Sequence, residues 1–391
     1  MTSRIEYLDA VRAFALLLGI VFHASLSFMP IFIGWAVMDI STSPFISIVV
    51  LVSHSFRMEL FFLIAGFFSA MALNKYGVSV FVKSRLFRIG LPFVVGWVIL
   101  RPLIVSGWVM GGQSLRGDVE IWPALQQGVN DLFAADTTWF TGTHLWFLYY
   151  LLVITALVMS YSALTKPMAA LNKALQKLMI VLVQRRWGAI VLASVITCPL
   201  WFMSHWGVDT PDKSLLPHIP VTALYTGFFA MGWLCWSQQQ LLDAIATLSP
   251  AKLVTAVGSI ISCTVLSQYE TQTGMAYYTQ VKWAYLFCYA MMMLSLVAIS
   301  IGICKRLFNK RRASVRYIAD ASYWLYLVHL PIVIILQVMV AEWPLHWTVK
   351  WFGVSMTTIV VGLMSYQAFV RHSFLGLVLN GSRSRHHKQS R

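Results

Sequence analysis

The sequence predicts an all-α, polytopic membrane protein of about ten transmembrane helices. Three observations support this prediction. The 391 residues are 59% hydrophobic and only 11% charged, which is more apolar surface than a soluble core of this length can bury. The apolar residues form runs of about 20, the length of helix that crosses a bilayer. Lys and Arg are concentrated in alternate connections between these runs.

Ten apolar runs are long enough to span a membrane. They cover approximately residues 8–30, 45–73, 89–106, 144–165, 187–204, 219–236, 252–268, 278–303, 321–341 and 351–370. The connections on one side hold 22 Lys and Arg, and those on the other side hold 3. Because positively charged connections stay inside, both termini are predicted to be cytoplasmic. Residues 5–370 then form one membrane domain, followed by a basic, disordered tail at 371–391.

Composition also excludes several classes of site. The net charge of +15 lies in connections between spans rather than on a soluble face, so a nucleic-acid partner is not expected. The five cysteines are single and form no CxxC pair, so neither a disulfide framework nor a metal site is predicted. The lipid bilayer is the partner that this composition requires.

The first apolar run carries three residues that a lipid-facing helix would exclude, namely Asp9, Arg12 and His23. Eleven residues separate Arg12 from His23, which is three helical turns plus about 20°, so both project from one face, about 16 Å apart along the axis. We therefore expect them to line one groove.

The second run contains His54, Arg57 and Glu59. His54 and Arg57 share a face at i, i+3, whereas Glu59 points about 140° away from His54 and is expected to pair elsewhere. His23 and Arg57 lie about 22 Å and 25 Å from the same membrane surface, so His23, His54 and Arg57 are predicted to converge. A single His in a span is more often a packing residue, but two charged or titratable groups at one depth favour a site.

These residues resemble the R-x10-H and R-x3-FF-x2-SG signatures of the acyltransferase 3 family of membrane acyltransferases. They are carried here by Arg12 and His23 and by segment 57–66. Ala65 stands where the family usually has Ser, so a direct chemical role does not carry over to that position. Arg85-x-x-Arg88, the run 144–148 and the run 321–329 resemble later sequence motifs of the family. The resemblance therefore covers residues 5–370.

The resemblance implies acyl transfer from cytoplasmic acyl-CoA to a hydroxyl outside, in the bacterial inner membrane. His23, Arg57 and His54 would be catalytic, with His23 either a general base or a transient acyl carrier. Arg57 would stabilise the thioester oxyanion or hold the carboxylate of a succinyl group. Asp9, Arg12, Arg85 and Arg88 would bind the acyl-CoA, and no tightly bound cofactor is expected. Further candidate site residues are Glu59, His144, Trp146, Tyr326 and His329.

Segment 53–58 and the end of the ninth run resemble those family members that add succinyl groups to periplasmic glucans, which favours succinyl-CoA as donor and such a glucan as acceptor. Acetylation of another surface polysaccharide or of lipopolysaccharide is the alternative. A transporter or flippase with a buried His/Arg proton relay also fits a charge-lined core. The long connection 107–143 is a candidate acceptor-facing lid. A homo-oligomer or an association with glucan synthesis machinery is left open.

Overall fold

A computed structural model describes residues 5–134, 141, 143–164, 169–185 and 187–380. Within these residues the chain is helical and contains no strand, which confirms the all-α class. The α-helices of the described part are α1 (Glu6–Ser25), α2 (Pro44–Arg85), α3 (Leu91–Gln113), α4 (Ile121–Asp131), α5 (Trp146–Leu164), α6 (Ala169–Gln184), α7 (Gly188–Trp201), α8 (Ile219–Ser237), α9 (Gln239–Ala246), α10 (Pro250–Leu266), α11 (Tyr278–Leu307), α12 (Ala313–Val340), α13 (Trp347–Ser365) and α14 (Phe374–Asn380).

Eight helical stretches of the described part are long and apolar enough to span a membrane, or nine if the bent pair Lys173–Gln184 and Gly188–Trp201 forms one span. One of the eight, Pro44–Gln113, has 70 residues, or about 105 Å of helix, against a hydrocarbon thickness of about 30 Å. Its helix breaks at Gly77, where φ is 76°, so it contains both the second and the third predicted spans. The number of ten spans and the cytoplasmic placement of the termini stay predictions.

Helix α1 lies in the middle of the bundle, where it packs against α2, α11, α12 and α13. Protein rather than lipid therefore surrounds its polar residues. This is the environment in which a membrane helix tolerates ionisable side chains.

Helices α2 and α8 cross closely because both present glycine at the crossing. A Cβ atom on Gly66 would overlap the carbonyl oxygen of Phe229, and one on Gly232 would overlap that of Leu63. Small residues allow such backbone approach between membrane helices. The glycine of the second family signature is thus explained by packing, next to the cavity-lining Ala65.

A non-helical strap, residues 29–43, connects α1 to α2 and is anchored at two points. The Asp39 carboxylate accepts a hydrogen bond from Lys350 Nζ at 2.7 Å, and both side chains are buried. The backbone of Ala36 packs so closely on Gly111 that a Cβ there would overlap the Ala36 carbonyl oxygen. The strap is therefore held against the ends of α3 and α13.

The connection 107–143, the candidate acceptor-facing lid, is partly helical, and its role as a lid stays a prediction. Residues 107–113 continue α3, because Gly111 allows the helix to pack against the strap, and Ile121–Asp131 form α4. Arg101 and Asp131 form an ion pair at 2.8 Å that joins α3 to α4. Residues 135–140 and 142 of the predicted lid lie outside the described residues.

The segment predicted as a disordered tail begins with structure. Helix α14 occupies Phe374–Asn380, and the Asn380 side chain donates a hydrogen bond to the Tyr366 hydroxyl at 3.3 Å. Two residues at the end of this helix, Leu379 and Asn380, line the central cavity. The apolar sequence Phe374–Leu379 explains why this part packs on the bundle. Residues 381–391 lie outside the described part, and the division of the chain at residue 370 stays a prediction.

Candidate active site

A cavity of about 1840 Å³ passes through the bundle along α1. Its basic end is lined by Arg12, Arg85 and Arg88, and its loop end by the loop 204–218 between α7 and α8. His23, His54, Arg57, His144 and His329 line the stretch between the two ends. The cavity is therefore long enough to bring a ligand from each end to one group of polar side chains.

The predicted convergence of the first two spans is present in the structure, with Phe22 at its centre. The Phe22 ring centroid lies 5.1 Å from that of His23 and 5.5 Å from that of His54. Arg57 Cζ lies 4.2 Å above the Phe22 ring, a cation–π contact. A Cβ on Gly19 would lie 3.8 Å from Arg57 Nη1, so the guanidinium sits within one helical turn of His23.

Arg57 forms no ion pair with an acid among the described residues. Its side chain is only 7% exposed, its Nη1 is buried without a hydrogen bond, and no ion pair involves it in the described part of the chain. An arginine cannot discharge itself, and a buried unpaired charge is costly. The structure therefore presents Arg57 as a cation that an anionic ligand in the cavity can neutralise.

Two further histidines approach His23 from α12 and from the turn before α5. The ring centroids of His23 and His329 are 5.3 Å apart, and those of His329 and His144 are 5.8 Å apart. His329 Nδ1 lies 2.8 Å from the Tyr326 carbonyl oxygen, and His144 Nε2 lies 2.9 Å from the Leu327 carbonyl oxygen. Because a carbonyl only accepts, these nitrogens carry the hydrogens. Neutral His329 then keeps a lone pair on Nε2, and neutral His144 keeps one on Nδ1.

Sequence reasoning missed two residues that hold His23 in place. Trp35 of the strap stacks on His23, with ring centroids 5.5 Å apart, and its indole N–H donates to Gln337 Oε1 at 2.8 Å. The Gln337 side-chain amide in turn donates to the carbonyl oxygens of His23 and Ala24 at 3.0 and 3.2 Å. A buried Gln in an apolar span is itself a signal that would have found this contact.

The basic end is built from three helices. Arg12 Nη2 donates to the Ala319 carbonyl oxygen at 2.6 Å, and Arg85 Nη2 donates to Ser69 Oγ at 2.8 Å. Arg85 ends α2 and Arg88 lies in the π-helical turn Leu86–Gly90 that follows. Such π-turns often occur at functional sites because they change which residues share a face, and here both arginines reach the cavity.

The two acidic candidates do not line the cavity. Asp9 is buried beside Arg12, with Asp9 Oδ1 at 3.8 Å from Arg12 Nη2, so it reaches the cavity only through its contact with that arginine. Glu59 is fully buried, and neither carboxylate oxygen has a hydrogen-bond partner among the described residues. The expected pairing of Glu59 with another residue is not present among the described residues, because its face of α2 turns into the packed bundle; the charge of Arg57 acts on it without a hydrogen bond.

Trp146 and Tyr326, the other two candidates, do line the cavity. Trp146 stacks on Tyr225, with ring centroids 5.9 Å apart. The Tyr326 hydroxyl donates to the His144 carbonyl oxygen at 2.7 Å. Tyr326 packs beside His144 and His329. The Trp146 indole N–H makes no hydrogen bond among the described residues, so Trp146 shapes the wall and keeps a donor for a ligand.

The loop end contributes cavity-lining residues that were not among the candidate site residues of the sequence. Asp209 organises it: its carboxylate accepts from the amides of Ser204 and His205 at 2.7 and 3.3 Å, and His218 Nε2 lies 4.0 Å from it. His54 Nε2 makes a 3.2 Å contact with Thr210 Oγ1. The loop is thereby joined to the same group of side chains as Arg57 and His23.

Comparison with known proteins agrees with this arrangement. A family model described as an acyltransferase domain matches residues 5–366. The chain belongs to the acyltransferase 3 family. Both family signatures lie at the cavity, Arg12 and His23 on α1 and Arg57 on α2. The resemblance inferred from the sequence is thus confirmed, and the protein is a multi-pass membrane acyltransferase.

Members of the family with curated names are similar over almost the whole chain. Glucans biosynthesis protein C of Escherichia coli (strain K12 / DH10B) is 27% identical over 386 residues, which is 97% of this chain and 95% of the relative. The protein of the same name from Escherichia coli O81 (strain ED1a) is 27% identical over 388 residues. No solved structure matches the chain. The sequence similarity to glucans biosynthesis protein C is therefore confirmed.

Proposed function

We propose that this acyltransferase moves a succinyl group from cytoplasmic succinyl-CoA to hydroxyl groups of a periplasmic glucan. The observation that carries the proposal is the continuous cavity, which has arginines at one end, a polar loop at the other and His23 between them. The name shared by the relatives, glucans biosynthesis protein C, supports a glucan as acceptor. The unpaired Arg57 favours a donor whose acyl group carries a negative charge.

The basic end fits the phosphates of CoA. Arg85 and Arg88 supply guanidinium groups, which form charge-assisted, bidentate bonds to phosphate oxygens. The pantetheine arm would then run along α1 from Arg12 to His23, over about 16 Å. Three arginines line this end together with one acid, Asp320, so the local charge favours an anion.

His23 is the group that we expect at the reacting carbonyl. As a general base it takes the proton from the sugar hydroxyl while the hydroxyl oxygen attacks the thioester carbon. The C–S bond then breaks, and the same proton passes to the CoA sulfur. As an acyl carrier, His23 would instead form the bond to the acyl group first, release CoA and then give the acyl group to the hydroxyl. In the acyl-carrier route CoA would leave with the ring proton of His23, and His329 Nε2 could accept the proton that the sugar hydroxyl loses when it takes the acyl group.

The buried guanidinium of Arg57 supports a role in holding the succinyl carboxylate. A carboxylate would supply the negative partner that the buried guanidinium lacks in the structure, and the pair would form parallel charge-assisted bonds. The alternative role, stabilising the thioester oxyanion, would make Arg57 equally important for every acyl group. The two roles predict different effects of an Arg57 variant on transfer from succinyl-CoA and from acetyl-CoA.

The test uses purified full-length protein in lipid nanodiscs, labelled succinyl-CoA and a neutral glucose oligomer. We expect label on the oligomer and CoA release that depends on the oligomer, with acetyl-CoA a poorer donor. Better transfer from acetyl-CoA would support the acetylation alternative. In proteoliposomes, movement of unmodified oligomer across the bilayer without acyl transfer would support a transporter and contradict the proposal.

A further inference from the structure

Two tryptophans form an aromatic wall at the loop end of the cavity. Trp35 stands between His23 and Trp108, with its ring centroid 5.5 Å from the first and 5.2 Å from the second. Trp35 is fixed by Gln337 through its indole N–H. Trp108 is 37% exposed, lines the cavity and makes no hydrogen bond within the described part of the chain. A ligand that stacks on this wall therefore lies beside the proposed reacting group.

The polar loop 204–218 lines the same cavity and reaches the central group of side chains through the contact of Thr210 with His54. The Asp209 carboxylate binds backbone amides of the loop and holds it together. The Asp212 carboxylate accepts no hydrogen bond from another described residue and forms no ion pair with one. Burial raises the pKa of the Asp212 carboxyl, as expected for a group inside a partly closed opening. The Asp212 carbonyl oxygen accepts from the Thr143 amide at 3.0 Å, which fixes this part of the loop against the start of α5.

The charges of the two ends differ. The basic end has three arginines and one aspartate, whereas the loop end has Asp209 and Asp212 with one lysine, Lys213. Carboxylates accept hydrogen bonds from hydroxyl groups but repel phosphates and carboxylates. A neutral ligand rich in hydroxyl groups therefore fits the loop end better than a second anion does.

Aromatic rings and a carboxylate in the wall of one cavity are a combination that binds a sugar. The apolar face of a pyranose ring packs on an indole, which supplies a large rigid surface, while the ring hydroxyls donate to carboxylate oxygens. The width of the wall also suits a chain of sugar units, since it extends from His23 past Trp35 to Trp108. We infer that the Trp35–Trp108 wall and Asp212 form the binding site for the neutral hexose oligomer that accepts the acyl group.

This inference rests on the proposed function, so its test measures binding as well as transfer. Equilibrium binding of a radiolabelled neutral glucose oligomer is measured on full-length protein in nanodiscs without acyl-CoA. We expect Trp108→Ala and Asp212→Ala each to weaken binding roughly tenfold. Trp108→Phe, which keeps an aromatic face, should weaken binding much less. In the transfer assay, the acceptor KM should rise by a similar factor while the KM for succinyl-CoA stays the same.

Matched controls are Trp343→Ala and Asp118→Ala, which change exposed residues of the same types outside the cavity. Oligomer binding that is lost in the two cavity variants and kept in the two controls supports the site, even if no acyl transfer is found. Wild-type protein that does not bind the oligomer would overturn the inference. Equal binding by wild type, Trp108→Ala and Asp212→Ala would overturn it as well, whatever the acyl donor proves to be.

Discussion

Replacement of Arg57 by Lys separates the two roles proposed for this residue. Lys keeps the positive charge and the contact with the Phe22 ring, but it replaces a planar fork of donors by a point charge. The wild-type side chain has no hydrogen bond or ion pair to another described residue. The substitution therefore removes no partner within the protein, and its effect reports on the ligand.

The size of the effect follows from one lost bond of a bidentate pair. A hydrogen bond to a charged group contributes about 1.5–3 kcal/mol, and 1.4 kcal/mol is a factor of ten. We therefore expect kcat/KM for succinyl-CoA to fall roughly 10- to 150-fold. The acetyl group has no carboxylate, so kcat/KM for acetyl-CoA should change less than about threefold.

The assay follows acyl transfer to the glucose oligomer with each donor, on wild type and Arg57→Lys in parallel. Acetyl-CoA serves as the control within the same preparation, because a folding defect would lower both rates. A selective loss of succinyl transfer supports the carboxylate role. An equal loss with both donors would refute it and would leave Arg57 as the group that stabilises the oxyanion.

Three further predictions follow from the packing around the cavity. His329→Asn keeps a hydrogen-bond donor near the position of Nδ1 for the Tyr326 carbonyl oxygen but removes Nε2. The rate of acyl transfer should therefore fall about 100-fold at unchanged thermal stability. A rate near that of wild type would show that His329 is only a packing residue. Arg85→Gln and Arg88→Gln should each raise the KM for succinyl-CoA about tenfold and leave the acceptor KM unchanged. The control Arg311→Gln, which removes an exposed cation outside the cavity, should change neither KM. Equal effects of all three substitutions would show that the KM depends on the general surface charge and not on these two arginines. Gly66→Ala should lower the melting temperature and the yield of folded protein, because the added Cβ would overlap the Phe229 carbonyl oxygen. The control is Gly227→Ala, whose Cβ would lie in open space. Similar stability of the two variants would contradict the close α2–α8 crossing.

The local sequence was sufficient to predict contacts between helices that are regular and follow one another along the chain. His23 and Arg57 lie on adjacent spans, and counting residues from the membrane surface brought them to nearly one depth. The structure places the Arg57 guanidinium beside Gly19 and Phe22, within one turn of that estimate. The charge bias between connections and the length of the apolar runs were likewise enough to predict a helical membrane bundle.

Contacts between distant segments were beyond reach. His144 and His329 meet through α12 and the turn before α5, 185 positions apart in the sequence, and no helical period relates them. Helix geometry predicts the direction in which the Glu59 side chain points, but it does not predict which residues lie in that direction, so the expected partner of Glu59 could not be checked from the sequence. Loop 204–218 gave no signal because its fold depends on Asp209 capping its own backbone amides. Helix α3 extends past its predicted end since the strap offers Gly111 a backbone to pack on.

We propose that acyl transfer to glucan at the middle of the cavity depends on His23, as general base or as acyl carrier. The most direct test is mass spectrometry of periplasmic glucans from a host that lacks its own glucan acyltransferase. The host expresses wild-type protein, His23→Ala or no protein, and membrane insertion is checked by fractionation. We predict glucans that carry the succinyl mass increment only with wild type, and unmodified glucans with His23→Ala at equal membrane abundance. Succinylated glucans at the wild-type level in the His23→Ala strain would contradict the account.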